Sequence, residues 1–235
     1  MTSKEIITQL KAMGSESIKK VLVKHGAKEP FYGVRVGDMK TIVKKVKVNH
    51  ELALKLYDSG ISDAMYLAGL IADDAKMTKK HLNDWIKKAN WYMLSEYTVP
   101  WVAAGSPHGH ELALEWIASK DEKTASAGWV TYGCLLALKA DKDLDLKEVK
   151  AFVDRIEKGI HKAPNRVRYT MNNFIICVGG YCPSLSNYAI AASKKIGKVE
   201  VNLGDTACKV PFGPEYIENM KKRGSLTKKK KTVKC

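Results

Sequence analysis

The sequence predicts an all-α protein in which antiparallel helical hairpins form a right-handed stack, an α-solenoid. Three observations predict it: a repeated pentapeptide, apolar residues at helical spacing along most of the chain, and very few strand signals. The pentapeptide HELAL occurs at residues 50–54 and 110–114, and His81 begins a third similar stretch between them. A period of roughly thirty residues is typical of helical repeats, which bury their apolar faces only by stacking. We expect the concave side of such a stack to be a basic binding groove.

Apolar residues recur every three to four positions in each predicted helix. At the N-terminus this spacing predicts helices over residues 3–12, 15–24 and 36–47. The pattern continues over residues 49–58, 62–72, 78–89, 91–104, 110–119, 122–138, 145–160, 165–178, 186–196 and 214–222. Five prolines fall at predicted junctions, where a missing amide proton does least harm: Pro30, Pro107, Pro164, Pro183 and Pro211. Residues 197–203, GKVEVNL, are the one candidate for extended chain, and a loop or a helix cap is an equally good interpretation.

Each copy of the pentapeptide begins a two-helix unit. A turn rich in Ser, Asp and Gly follows the first helix, and the second helix carries a small pair, Ala68-Gly69 or Ala127-Gly128. Such pairs allow close approach of the two helices of a hairpin. Chance recurrence of Leu and Ala is the alternative explanation, which the third histidine weakens. We interpret His50 and His110 as the beginnings of outer helices and not as reactive groups.

Length and composition set the outer limits on function. At 235 residues with 45% hydrophobic side chains, the chain can bury a sizeable core as one domain or one array. No segment approaches the ~18 apolar residues of a transmembrane helix, and the first residues lack a signal peptide's apolar core. We therefore expect a cytoplasmic protein that acts as a monomer.

The five cysteines include no CxxC pair, so neither a disulfide framework nor a thiolate zinc site is indicated. We expect reduced and mostly buried thiols, with Cys235 exposed. His108 and His110 form only a loop pair, without the helical spacing of a motif such as HExxH. We expect no metal or other cofactor.

The formal net charge is +15, and its distribution decides what it indicates. Residues 221–235 carry eight basic side chains and no acid, which leaves +7 on residues 1–220. The body is therefore basic in its own right, as expected of a protein that binds nucleic acid. For the lysines of residues 40–47, solvated helix faces are an equally good interpretation.

The C-terminal tail is the most basic segment. Lys228, Lys229, Lys230 and Lys231 are consecutive and predict contacts to DNA phosphates. A disordered solubilising end or a targeting signal is the alternative. We predict one DNA-binding domain over residues 1–223 and a basic, flexible tail over residues 224–235.

Candidate chemistry concentrates in residues 90–101, NWYMLSEYTVPW. On a helix Tyr92 and Glu96 share one face, while Trp91 lies on the face expected to be core. A carboxylate among aromatic rings can stabilise a developing positive charge or activate a water, and Tyr92 and the indole rings can stack on a base. The alternative is a solvent-facing Glu96 paired with a lysine such as Lys88.

Four segments together carry a resemblance to a known family: PFYGVRVGDMKTIVKKV (30–46), W-Y-x-x-x-E (91–96), HELALEWIAS (110–119) and PNRVRYTMNNFI (164–175). They resemble the DNA alkylation repair family, the AlkD-type alkylpurine DNA glycosylases built of HEAT-like repeats, over nearly the whole chain. The resemblance implies a HEAT/ARM-like superhelix that holds double-stranded DNA in a basic concave groove. Active members cleave the N-glycosidic bond of cationic alkylated purines such as 7-methylguanine and 3-methyladenine, without a deep base pocket. A nucleoid-associated location follows.

Carried over by position, the resemblance gives Glu96 the role of the family's catalytic aspartate, and Tyr92 stands where active members have tryptophan. Three positions depart from the active members. Ala127 replaces an arginine that clamps DNA, Phe174 replaces a second lesion-facing tryptophan, and Cys177 replaces an arginine that follows it. These departures weigh against catalysis on ordinary alkylpurines more than against DNA binding.

Polar residues near Pro164 are the remaining candidates for DNA contact. Arg166 and Arg168 lie near a predicted helix start, and Asn172 and Asn173 follow. Pairing of either arginine with Glu157 or Asp154 is an equally good interpretation. Three functional hypotheses remain: a DNA glycosylase, a non-catalytic protein that recognises damaged or branched DNA, and a protein-interaction scaffold.

Overall fold

The computed structural model describes all 235 residues, and it contains helices but no strand. The all-α prediction is therefore confirmed. The chain divides into two compact units. Unit 1 comprises Met1–His108, Leu203–Ala207 and Lys234–Cys235, and unit 2 comprises Gly109–Asn202 and Cys208–Val233.

Unit 1 contains seven α-helices: α1 Ser3–Met13, α2 Glu16–Lys24, α3 Val36–Val46, α4 His50–Asp58, α5 Ser62–Ile71, α6 Lys79–Lys88 and α7 Val99–Gly105. Side chains of Thr2, Asn49 and Thr78 set three of the helix starts, because each accepts a hydrogen bond from a first-turn N–H. One helix was predicted over residues 91–104. The structure instead has a π-helical turn, Leu94–Thr98, followed by α7.

Unit 2 contains six α-helices: α8 Gly109–Ile117, α9 Glu122–Leu138, α10 Leu146–Gly159, α11 Asn165–Tyr181, α12 Ser186–Ile196 and α13 Gly213–Lys222. Residues 197–203 form no regular element, and Gly197 ends α12 with φ 71°, so the loop and cap interpretation is the correct one. No single helix is both long and apolar enough to cross a membrane. The pair Asn165–Tyr181 and Pro183–Ile196 meets those criteria only together, and it is bent by 115°.

Both copies of HELAL begin a helix, α4 and α8, as predicted. The two small pairs, however, serve different contacts. A Cβ on Gly128 would lie 2.5 Å from the Ile117 nitrogen and 2.9 Å from the Ala113 oxygen, so this glycine allows α9 to pack directly on the backbone of α8. A Cβ on Gly69 would instead overlap the side chain of Thr98, in the π-helical turn. Only Ala127-Gly128 therefore allows the two helices of its own hairpin to pack closely.

The core of unit 2 is centred on α9. This helix is buried along most of its length and packs against both α8 and α11. Its rings Trp129 and Tyr132 make edge-to-face contacts with Phe152 and Phe174 at centroid distances of 5.3 to 5.5 Å. A helix enclosed in this way has no amphipathic stripe, because both faces are covered by neighbouring helices.

All five cysteines are free thiols. Cys208 and Cys235 are exposed, Cys134 and Cys177 are half-buried and Cys182 is buried. Burial raises the pKa of Cys177 to about 12 and that of Cys182 to about 11. These thiols are therefore protonated at neutral pH and poor nucleophiles.

We expect Gly128→Ala to lower the free energy of unfolding by about 1–3 kcal/mol, because the added methyl group meets backbone atoms of α8 that cannot move aside. Gly159→Ala is the matched control, since no atom lies within 4 Å of a Cβ added there and its φ is negative. Urea denaturation of both variants measures the difference. Equal stability of the two variants would contradict the close contact between α8 and α9.

Candidate functional site

The segment that precedes α7 adopts an unusual backbone. In the turn Leu94–Thr98 the N–H of Val99 donates to the carbonyl of Leu94, five residues back, and the Thr98 hydroxyl donates to the Met93 carbonyl at 3.3 Å. Pro100 has no N–H to extend a regular α-helical ladder into this turn. π-helical turns inside helices occur frequently at functional sites. The turn changes which side chains face the interior.

Glu96 lies in this turn and is only 3% exposed. The alternative prediction, a solvent-facing Glu96 paired with Lys88, is therefore wrong. Lys88 instead forms an ion pair with Asp58 at 2.6 Å. Burial of a carboxylate costs free energy, so a buried carboxylate indicates a structural or chemical role.

Trp91 and Tyr92 lie beside the turn, and both are half-buried, with ring centroids 5.5 Å apart. The Trp91 Nε1 is buried and has no hydrogen-bond partner. The Tyr92 hydroxyl is 3.0 Å from Nδ1 of His25, at the end of α2. Sequence analysis did not identify His25, because its partner is 67 residues away and no motif links them.

A small cleft lies next to Trp91. It has a volume of about 50 Å³, and Trp91, Leu94, Asp63 and Tyr66 are among its lining residues. This volume is far below the roughly 300–1,000 Å³ of a ligand pocket, so the cleft does not hold an extruded base. Asp63 shapes its rim, because its carboxylate accepts two backbone N–H bonds from residues 32 and 34, at 2.5 and 2.8 Å.

In unit 2, the start of α11 carries the two candidate arginines. The guanidinium of Arg166 lies 4.6 Å from the ring centroid of Tyr169. The backbone N–H of Arg166 donates to the Glu122 carboxylate at 2.6 Å. The Nε of Arg168 is buried without a hydrogen-bond partner.

The alternative interpretation pairs these arginines with Glu157 or Asp154, and both carboxylates have other partners. Glu157 accepts from Lys195 at 3.3 Å, and Asp154 accepts from the hydroxyl of Tyr188.

Two residues predicted to contact DNA are buried. Asn172 is 4% exposed and donates to the Pro211 carbonyl at 2.9 Å, and Phe174 is 1% exposed within the aromatic core. Their burial is at odds with a DNA contact, whereas Asn173 is half-buried. Ala127 is fully buried, so the position aligned with the clamping arginine lies in the core of unit 2.

The basic tail, expected to be flexible, is docked in the structure. The N–H of Thr227 donates to the Gly180 carbonyl at 2.6 Å, and the N–H of Lys230 donates to the Ala137 carbonyl at 2.7 Å. Lys229 donates to the Leu136 carbonyl at 2.9 Å and pairs with Asp141 at 2.8 Å. These carbonyls lie in the last turns of α9 and α11, where no intrahelical donor remains.

The last two residues, Lys234 and Cys235, belong to unit 1. Lys234 donates to the Ala72 carbonyl at 3.0 Å, at the C-terminal cap of α5, and pairs with Asp74 at 2.6 Å. Burial raises the pKa of the Asp74 carboxyl, and the charge of Lys234 opposes this rise. Lys228, Lys230 and Lys231 remain exposed.

These features define a class of protein: an all-α repeat protein with a strong positive charge and a buried carboxylate beside two aromatic rings. The model of the family described as "DNA alkylation repair enzyme" matches residues 6–199. The chain belongs to this family.

Comparison with individual proteins agrees with that assignment. A solved structure covers 100% of both chains with 37% sequence identity and a TM-score of 0.92. It belongs to what is described as "a new family of proteins related to the HEAT-like repeat DNA glycosylases with affinity for branched DNA structures". Uncharacterized proteins Lin0241 of Listeria innocua and Lmo0209 of Listeria monocytogenes are each 33% identical over 229 residues, 95% of this chain and 99% of theirs. The predicted HEAT-like-repeat fold is confirmed.

Proposed function

We propose that this protein binds DNA and recognises branched structures such as junctions and flaps. The observation that carries the proposal is the match, over the full length of both chains, to a protein with affinity for branched DNA. The net charge of +15 supports it, because each neutralised phosphate releases condensed counterions.

Several basic residues are available for phosphate contacts. Lys228, Lys230 and Lys231 are exposed on the docked tail. Phosphate contacts position a protein on DNA without reading its sequence. Discrimination then comes from the shape and deformability of the DNA, which differ at a branch point. We therefore propose recognition of branched DNA through backbone contacts.

A four-way junction should bind roughly tenfold more tightly than a linear duplex of the same base composition, because only the junction offers the bent backbone. We also expect the logarithm of the association constant to fall linearly with the logarithm of salt concentration. Fluorescence anisotropy at several salt concentrations measures both. Equal affinity for the two DNAs would overturn branch recognition, and a weak salt dependence would favour a protein-interaction scaffold instead.

A second candidate function is hydrolysis of the N-glycosidic bond of cationic alkylated purines. One specific observation favours it: Glu96 is buried in a π-helical turn beside Trp91 and Tyr92. A cationic purine is already a good leaving group. Catalysis therefore needs mainly a carboxylate to stabilise the oxocarbenium-like sugar and aromatic faces nearby. The burial of Ala127 and Phe174 weighs against this candidate, since neither position offers a DNA contact.

Glycosylase activity predicts release of free 7-methylguanine or 3-methyladenine from alkylated DNA by the wild-type protein. Glu96→Gln should then lower the rate by about a hundredfold, because the amide keeps the shape and loses the charge. Chromatography of released bases measures the rate. Thermal unfolding of Glu96→Gln controls for loss of fold. No release above the uncatalysed rate by the wild type would exclude this candidate for those lesions.

A further inference from the structure

A cavity of about 430 Å³ lies beside the docked tail in unit 2. Its volume falls within the roughly 300–1,000 Å³ typical of sites for small ligands. Three segments line it, the end of α11, the outer face of α13 and the tail, with the residues Tyr181, Tyr216, Asn219, Met220, Arg223, Ser225, Lys228, Lys229 and Lys230.

The lining of this cavity is cationic, and it includes no carboxylate. The charge of Lys229 is offset by its ion pair with Asp141. Arg223 and Lys228 are exposed and have no carboxylate partner. Both are therefore available to an anionic group inside the cavity, and Arg223 can bind it through two parallel N–H donors.

Aromatic rings form the rest of the wall. Tyr216 is 49% exposed, whereas Ile217, the next residue of α13, is buried. Tyr181 lies at the end of α11, with the Lys230 Nζ 5.9 Å from its ring centroid. An exposed aromatic ring among cations, such as Tyr216, is a surface on which an unpaired base can stack.

Hydrogen bonds within the tail and to α11 and α13 hold the walls of the cavity in place. The N–H of Ser225 donates to the Met220 carbonyl at 3.0 Å, and the N–H of Thr227 donates to the Gly180 carbonyl at 2.6 Å. The Ser225 hydroxyl also donates to Met220, at 3.1 Å. These bonds hold the tail against α11 and α13, so a ligand does not have to order the loop when it binds.

We propose that this cavity binds one unpaired nucleotide of a DNA strand, with its base against Tyr216 and its phosphate between Arg223 and Lys228. A base within a duplex is stacked on both faces, so only a nucleotide at a strand end or a branch point can offer a free face. The inference rests on the proposed DNA binding and specifies the feature of branched DNA that is recognised.

The test compares a blunt duplex with the same duplex that carries a short single-stranded oligo-dT flap. Affinities of the full chain for both DNAs are measured by fluorescence anisotropy. Tyr216→Ala should lower the affinity for the flap relative to the blunt duplex by roughly tenfold, the contribution of one stacked base. Tyr216→Phe should retain the preference, because the ring is kept. Phe212→Ala removes another exposed ring, outside the cavity, and should also retain it.

A second pair of variants tests the phosphate contact. Arg223→Gln with Lys228→Gln should reduce the preference for the flap, whereas Lys147→Gln with Lys158→Gln removes the same charge from exposed positions on α10 and should not. If Tyr216→Ala changes the preference for the flap no more than Phe212→Ala does, the cavity proposal is overturned. If the wild type still prefers a junction in that case, the proposed function stands; if the wild type binds no DNA, both fall.

Discussion

The arrangement of unit 2 depends on the carbonyl groups at the C-terminal ends of α9 and α11, which have no donor within their own helices. A helix leaves its last carbonyls without intrahelical donors, and its dipole favours positive charge there. The tail supplies both donors and charge, through Lys229 and Lys230 at α9 and Thr227 at α11. Part of the tail's basicity is therefore structural. The remaining cations, Arg223 and Lys228, stand in fixed positions as a consequence.

A comparable constraint places Glu96 in unit 1. Thr98 packs where Gly69 lacks a side chain, and Pro100 donates no hydrogen bond to the turn that precedes it. The chain meets both conditions with a π-helical turn, in which Glu96 is buried. The nearby cleft is too small to hold an extruded base.

The sequence predicted the helices and the repeat well, because both depend on local spacing. The recurrence of HELAL located α4 and α8 correctly. Contacts between distant residues were not predictable, since no motif connects Tyr92 to His25 or Thr227 to Gly180. Alignment by position also failed for Phe174. Alignment gives the position of Phe174 along α11 but does not show which helix covers its ring. In the structure, Trp129 of α9 packs against this ring.

Amide hydrogen exchange in residues 223–231 tests the central claim most directly, namely that a docked tail presents a fixed surface to DNA. In the free protein, the amides of Thr227 and Lys230 should exchange slowly, because both donate to helix-end carbonyls. Addition of a DNA junction that carries a flap should slow exchange in this segment further. Exchange at the rate of an unstructured chain in the free protein, or no change on addition of the junction, would contradict the claim.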